Sequence, residues 1–277
     1  MKLDGDVLLT WQRLSKHWSH VGPPLRPARE DVAFAASVLR SLPHYDEVGR
    51  LISILLGVTP ELAAILTGTR CLQIEHSIDM INWALACYGF GPSTLPVVAD
   101  WYRLPVPDES ADLVVGDGCY STASYPDGYA RLSREIARAL KPGGKCVMRL
   151  FVLPAAAETA DAVIGDLKRG QIGNFNVLRW RLNMALQPSA AAGVRLADTW
   201  KCWNSAQVDM RFLTDDLGWP IETLHVMDAY RDSDTRYTFP TLADARRAIS
   251  PFLCETACYF PSYEIGDRCP TVVLERL

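Results

Sequence analysis

The sequence predicts a three-layer α/β fold: a mostly parallel sheet with one reversed terminal strand, an N-terminal helical lid and a helical cap insertion. Three observations predict it. From residue 51 short apolar runs alternate with helical segments, as in chains of βα units. Over 155–232 that alternation gives way to helix-like sequence carrying Trp180, Trp200, Trp203 and Trp219. Two strand-like runs then end the sequence, too close together to pair except as an antiparallel hairpin. The expected organisation is a lid at 1–45, a cofactor-binding core at 46–153, the cap at 154–232, and at 233–277 the C-terminal part of the core with its hairpin.

In the lid, Leu8, Trp11, Leu14 and Trp18 recur at spacings of three and four and share one helical face. Gly22-Pro23-Pro24 breaks the pattern, and Arg29 to Leu42 reads as a second helix with an acidic first turn, closed before Pro43. Leu51 to Leu56 is the first strand. Gly57-Val58-Thr59-Pro60-Glu61 turns it into a helix: Thr59 is suited to cap, Pro60 to the first helical position and Glu61 to the positive helix end. Strands follow at Cys71 to Glu75, Leu95 to Ala99, Ala111 to Gly116 and, after the Lys141-Pro142-Gly143-Gly144 turn, Lys145 to Val152. Helices are expected at Ser77 to Cys87, Tyr125 to Leu140 and Thr241 to Ile249, and the closing hairpin at Phe252 to Phe260 and Thr271 to Leu277.

A chain of 277 residues, 49% hydrophobic and 22% charged, can bury a sizeable core. Its formal charge of -4 and the lack of a dense Lys/Arg run argue against a nucleic-acid partner. Lys168, Arg169, Arg179 and Arg181 come nearest to a basic patch and read as the solvated face of a helix. The eight cysteines contain no C-x-x-C pair, and with neither a signal peptide nor a membrane-length apolar run they read as reduced core thiols of a cytoplasmic protein. The partner expected is a small-molecule substrate, with no nucleic acid, no membrane and no metal; a homodimer stays open.

Open parallel sheets bind ligands beyond the carboxyl ends of their strands. Here the strand ends carry the Gly57 turn, then Glu75, whose carboxylate suits two ribose hydroxyls, then Asp100-Trp101, an acceptor and a flat ring suited to adenine, and finally Asp117-Gly118-Cys119-Tyr120.

Taken in order, Leu55-Leu56-Gly57-Val58-Thr59-Pro60-Glu61-Leu62, Ile74-Glu75-His76-Ser77, Ala99-Asp100-Trp101 with Leu104-Pro105, Asp112-Leu113-Val114-Val115 and Leu140-Lys141-Pro142-Gly143-Gly144 resemble class I, Rossmann-like S-adenosylmethionine-dependent methyltransferases. The resemblance covers roughly 50–152 and the last 25 or so residues. It implies S-adenosyl-L-methionine as cofactor and the Rossmann-like methyltransferase fold. It also implies that Gly57 and Thr59 lie against the methionine moiety, that Glu75 with His76 holds the ribose, that Asp100 and the Trp101 backbone read adenine, and that Asp117 and Gly118 line the methyl end. Thr59 and Glu61 stand where the family's G-x-G-x-G loop has its second and third glycines.

Each site residue also has a plainer role open to it. Glu75 could cap the helix at Ser77, Asp100 could start a turn, and Asp117 could stabilise the Gly-Asp-Gly turn. His17 and His20 on the lid, together with Asp117, are the catalytic candidates, since a protonated acceptor needs a base; His76 is a third histidine near the site. Arg149 either pairs with an acid or reaches solvent, and the cap tryptophans form either a substrate wall or a small core. The functional expectation is methyl transfer to an O, N or C nucleophile of a small, partly aromatic molecule. The alternatives are an NAD(P)-dependent oxidoreductase, which would normally carry the G-x-G-x-x-G that this chain lacks, and a non-methylating relative of the methyltransferase fold.

Overall fold

In a computed structural model, residues 12–277 are described; Leu8 and Trp11 of the expected lid helix lie outside them. Residues 12–15 are helical and Trp18–His20 form a 3-10 turn. The elements that follow are α1 (Arg29–Arg40), β1 (Ile52–Leu56), α2 (Pro60–Ile65), β2 (Arg70–Glu75), α3 (Ile78–Cys87), β3 (Thr94–Val98) and β4 (Ala111–Asp117). Next come α4 (Asp127–Ala139), β5 (Leu140–Arg149), α5 (Ala160–Lys168), α6 (Phe175–Leu186), β6 (Val194–Arg195), α7 (Leu196–Ser205), α8 (Ile221–Leu224) and β7 (Arg236–Tyr237). α9 (Leu242–Ile249), β8 (Leu253–Tyr259) and β9 (Thr271–Arg276) complete the chain.

The seven-stranded sheet has the order β3-β2-β1-β4-β5-β9-β8. β1 to β5 pair in parallel, whereas β9 is antiparallel to both β5 and β8, which makes it the reversed strand that the terminal hairpin predicts. The central strands are continuous apolar runs because both faces of the sheet are covered. Their alternate residues enter opposite cores: Leu55, Leu113, Val115, Val147 and Val273 pack under α1 and α2, while Ile54, Leu56, Val114, Cys146, Met148 and Val272 pack under α4 and α9. α4 shows how sequence sets this packing, since its buried Tyr129, Leu132, Ser133 and Ile136 repeat at three and four residues and form one inward stripe.

The expected boundaries shift in two places. β5 starts at Leu140 and carries Lys141-Pro142-Gly143-Gly144 as an irregularity in its pairing with β4 rather than as a turn before it. A Cβ at Gly144 would sit 3.0 Å from the Ala111 carbonyl oxygen, so the strands approach there only over glycine. A two-stranded ladder, too short to leave an alternating pattern in the sequence, pairs β6 of the cap with β7, past the expected cap end at 232.

Two expectations fail on burial. α6 is buried from Phe175 to Met184, including Arg179 and Arg181, so the proposed basic patch is no solvated face. Arg181 is held by Glu158 at 2.5 Å and by Asp166, and Glu158 also takes Arg268 at 2.6 Å. All eight thiols are free, but Cys87 and Cys254 are exposed, so the reading of the cysteines as core residues holds for Cys71, Cys119, Cys146 and Cys269.

No helix among the described residues is long and apolar enough to cross a membrane.

Candidate active site

The parallel register brings the expected residues to one rim of the sheet. Leu56 pairs with Ile74 and Glu75 with Val98, so the ends of β1, β2 and β3 lie side by side. Gly57 has φ +91 and donates its N–H to the Ile74 carbonyl at 2.8 Å, a geometry that disfavours any side chain. A Cβ on Gly57 would lie 3.8 Å from both Glu75 Oε2 and Trp101 Cζ2, so the glycine forms a shallow cradle between a carboxylate and an indole.

Thr59 and Glu61 do not close this cradle. Thr59 has φ -104, which any residue adopts, and precedes α2 with no cap hydrogen bond from its hydroxyl, contrary to the cap expected of it. Glu61 reaches Arg26, at 2.6 Å, on the segment before α1. The third glycine of the loop is thus replaced by an anchor for the N-terminal arm. Arg26 Nε and Glu61 Oε2 are buried and have no hydrogen-bond partner among the described residues.

Glu75 is buried, and its Oε1 accepts the backbone N–H groups of His76 at 2.7 Å and Ser77 at 2.9 Å. The helix is capped by Ser77, whose hydroxyl accepts the Met80 N–H, while Glu75 uses one oxygen to fix the two residues before the helix and turns Oε2 toward Gly57. Burial raises the Glu75 pKa against the pull of His76 and the two N–H bonds. His76 Nδ1 lies 3.2 Å from Glu75 Oε1, and its ring meets Trp101 edge-on at 5.0 Å. Trp101 donates Nε1–H to the Ile74 carbonyl at 2.9 Å, which folds the indole back over the first βα turn. Asp100 Oδ1 accepts the Tyr102 N–H at 2.9 Å, the turn-forming role that sequence left open.

At the tip of β4, Asp117 is not a free base. Its Oδ1 holds Arg149 Nε at 2.6 Å, Arg149 also donates to the Tyr263 hydroxyl at 2.8 Å, and Asp31 lies 3.8 Å away on α1. Burial raises the pKa of both aspartates against Arg149. Burial alone would lower Arg149, but the facing Asp117 outweighs it and keeps the guanidinium charged. Gly118 has φ +65, and a Cβ there would sit 2.4 Å from Phe151 Cε2, so this turn admits only glycine.

Beyond this tip lies a cavity of about 80 Å³. Leu14, Trp18, Val21 and Leu25 of the N-terminal segment and Trp101 form one side of its lining, with residues 117–119 and 121–122 of the β4 tip below. Phe151 after β5, Arg179, Trp180 and Tyr230 of the cap and Tyr237 of β7 complete it. Thr238 N–H, just after β7, donates to the Ser121 carbonyl at 2.8 Å, tying that segment to the β4 tip. Neither His17 nor His20 lines this cavity: His20 is exposed and His17 sits at the 3-10 turn, its pKa lowered by burial and by His20. Sequence reasoning missed Arg26, Phe151 and Arg179. For Arg179 no local signal existed, because FNVLRWRLNMAL interleaves two asparagines and two arginines with its apolar residues.

A five-strand parallel run in the order 3-2-1-4-5, closed by an antiparallel hairpin, defines a Rossmann-like α/β fold of the methyltransferase type. Residues 56–148 match the family model described as a methyltransferase domain. No curated protein matches the sequence. Among solved structures, the chain is similar to the CcbJ methyltransferase from Streptomyces caelestis at 13% identity, covering 97% of this chain and 98% of that one with a TM-score of 0.59. The N-methyltransferase NodS from Bradyrhizobium japonicum, in complex with S-adenosylhomocysteine, matches at 10% identity over 96% and 98% with a TM-score of 0.53. A Rhodobacter sphaeroides protein described among Zn-dependent alcohol dehydrogenases matches at 12% over 96% and 98% with a TM-score of 0.60. At these identities the likeness is one of fold. Among the described residues no group of three or more His, Cys, Asp or Glu could hold a metal ion.

Proposed function

We propose that the chain methylates an O, N or C nucleophile of a small, partly aromatic molecule that enters the cavity between the N-terminal segment, the β4 tip and the cap. The observation that carries this reading is the meeting of two surfaces at residues 117–119 and Trp101: the carboxylate-bearing rim on one side and a wall of Phe151, Trp180, Tyr230 and Tyr237 on the other. S-adenosylmethionine, when bound, supplies an electrophilic methyl group on sulfonium sulfur.

The residues present suit that cofactor, because Gly57 leaves a side-chain-free cradle and Glu75 turns one carboxylate oxygen to it. Glu75 would accept the ribose hydroxyls, and Asp100 with the Trp101 backbone would face the adenine. Arg26 and Glu61, each with a polar atom to spare, would answer the charges of the amino-acid end. At the acceptor, the protein contributes alignment and exclusion of water. None of the lining groups is a ready base: Arg149 holds Asp117, and burial pushes the Cys119 thiol and Tyr237 phenol well up. The acceptor this favours already carries a lone pair, as a free amine or a phenolate does, and gives up any proton to water.

The test pairs calorimetry of S-adenosylhomocysteine binding with methyl transfer from deuterated-methyl S-adenosylmethionine to a panel of aryl amines and phenols, read by mass spectrometry. Absence of S-adenosylhomocysteine binding would overturn the reading. Binding without transfer to any acceptor would leave a binding protein on a methyltransferase fold.

A further inference from the structure

Arg179 is 2% exposed and lines the cavity, yet no carboxylate lies within ion-pair distance of it among the described residues. Its hydrogen-bond partners are neutral: Nη2 donates to the Tyr230 hydroxyl at 2.9 Å and Nη1 to Asn176 Oδ1 at 3.4 Å. Its Nε–H is buried with no partner among the described residues, and the guanidinium lies 4.9 Å from the Tyr230 ring centroid. The neighbouring Arg181, one helical position past Trp180, shows how this fold otherwise treats a buried arginine, giving it two carboxylates. Asp117, the other charged residue lining the cavity, is compensated by Arg149. A buried cation without a counter-ion is costly, so a site that retains one is built for an anion arriving from outside.

Resting on the methyltransferase reading above, we infer that the acceptor is an anionic aromatic molecule whose carboxylate is bound by Arg179. The planar guanidinium suits a carboxylate, Tyr230 fixes its orientation by hydrogen bond and ring contact, and Trp180 and Phe151, 4.9 Å apart, supply an aromatic wall beside it. The methyl-accepting atom is then elsewhere on the same molecule, toward Asp117–Cys119.

The experiment uses the full chain saturated with S-adenosylhomocysteine. Benzoate, 3-phenylpropionate and indole-3-acetate are each titrated alongside the matching primary amide, which has nearly the same shape and no charge, with calorimetry and tryptophan fluorescence as readouts. At least one acid should bind about 10-fold or more tightly than its amide, the loss expected when a charge-assisted pair is removed. Arg179→Gln should abolish that preference and leave amide binding unchanged. Arg179→Lys, which keeps the charge without the fork, should retain part of it. Equal binding of acid and amide, no binding of any acid, or an undiminished preference in Arg179→Gln would overturn the inference. Should Arg179→Gln fail to fold, the acid–amide comparison on the wild type and on Tyr230→Phe decides. Failure here with S-adenosylhomocysteine still bound leaves the methyltransferase reading standing, whereas loss of S-adenosylhomocysteine binding in the wild type strikes that reading itself.

Discussion

On the proposed reading Glu75 performs two tasks with two oxygens, and two substitutions separate them. In Glu75→Gln the amide oxygen can still accept the N–H groups of His76 and Ser77, while the negative charge offered by Oε2 beside Gly57 is lost. Hydrogen bonds to a charged group are worth about 1.5–3 kcal/mol, so replacing them with neutral ones should weaken S-adenosylhomocysteine binding about 10- to 100-fold. The fold should tolerate the change. In Glu75→Ala both buried N–H groups lose their acceptor, at about 1–3 kcal/mol each, so stability should fall with affinity. Calorimetry gives the affinities and urea melts the stabilities. The affinity also has a pH signature: burial raises the Glu75 pKa above its ordinary 4.5, and the ribose needs the carboxylate form. Acidification should therefore weaken S-adenosylhomocysteine binding from a higher pH than an ordinary glutamate would, and the decline should vanish in Glu75→Gln. A Gln variant that binds within twofold of wild type, or that loses as much stability as the Ala variant, would refute this division of labour.

Two further substitutions follow from the geometry. Gly118→Ala combines a left-handed backbone with a Cβ 2.4 Å from Phe151, and should cost about 2–5 kcal/mol, or on the order of 4–10 °C in Tm; in a Phe151→Leu background, denaturant melts should show a smaller cost. Glu158, although burial acts to raise it, is held below its ordinary 4.5 by hydrogen bonds from Arg268 and Arg181. A lowered carboxylate stabilises above its unfolded pKa and loses that effect as pH falls through the folded value. The Tm gap between wild type and Glu158→Gln should thus be full at neutral pH and shrink below about 4.5; a gap constant from pH 7 to 3 would contradict the assignment.

What sequence made legible was whatever short-range periodicity encodes. The strand ends carrying Gly57, Glu75, Asp100 and Asp117 could be placed because each closes an apolar run, and a parallel sheet brings those ends to one rim. What stayed hidden was set by partners distant in the chain. Glu61 looked like an intrusion in a glycine loop until Arg26, 35 positions earlier, was found to hold it. Asp117 looked available as a base because Arg149 faces it only through strand pairing. Arg179 and Arg181 alternate with apolar residues, which on a lone helix means a wet face; on α6, packed on all sides, the same pattern means buried charge whose partners sit at 158, 166 and 230. His17 and His20 are candidates by their chemistry and their place on the lid, and local sequence does not say which side of a turn meets a cavity.

The cap interior is one continuous apolar cluster with Leu14, Val21, Phe151 and Cys269, residues contributed by the N-terminal arm, the exit of β5 and the approach to β9. It is therefore not a detachable module perched on a finished domain. Excising 154–232, or grafting in the corresponding stretch of a distant homologue, would lay bare Phe151 and strip the arm of its seat. Changing what the cavity admits is accordingly a matter of point changes along the inner wall, and a chimera would have to carry arm, insertion and closing hairpin together.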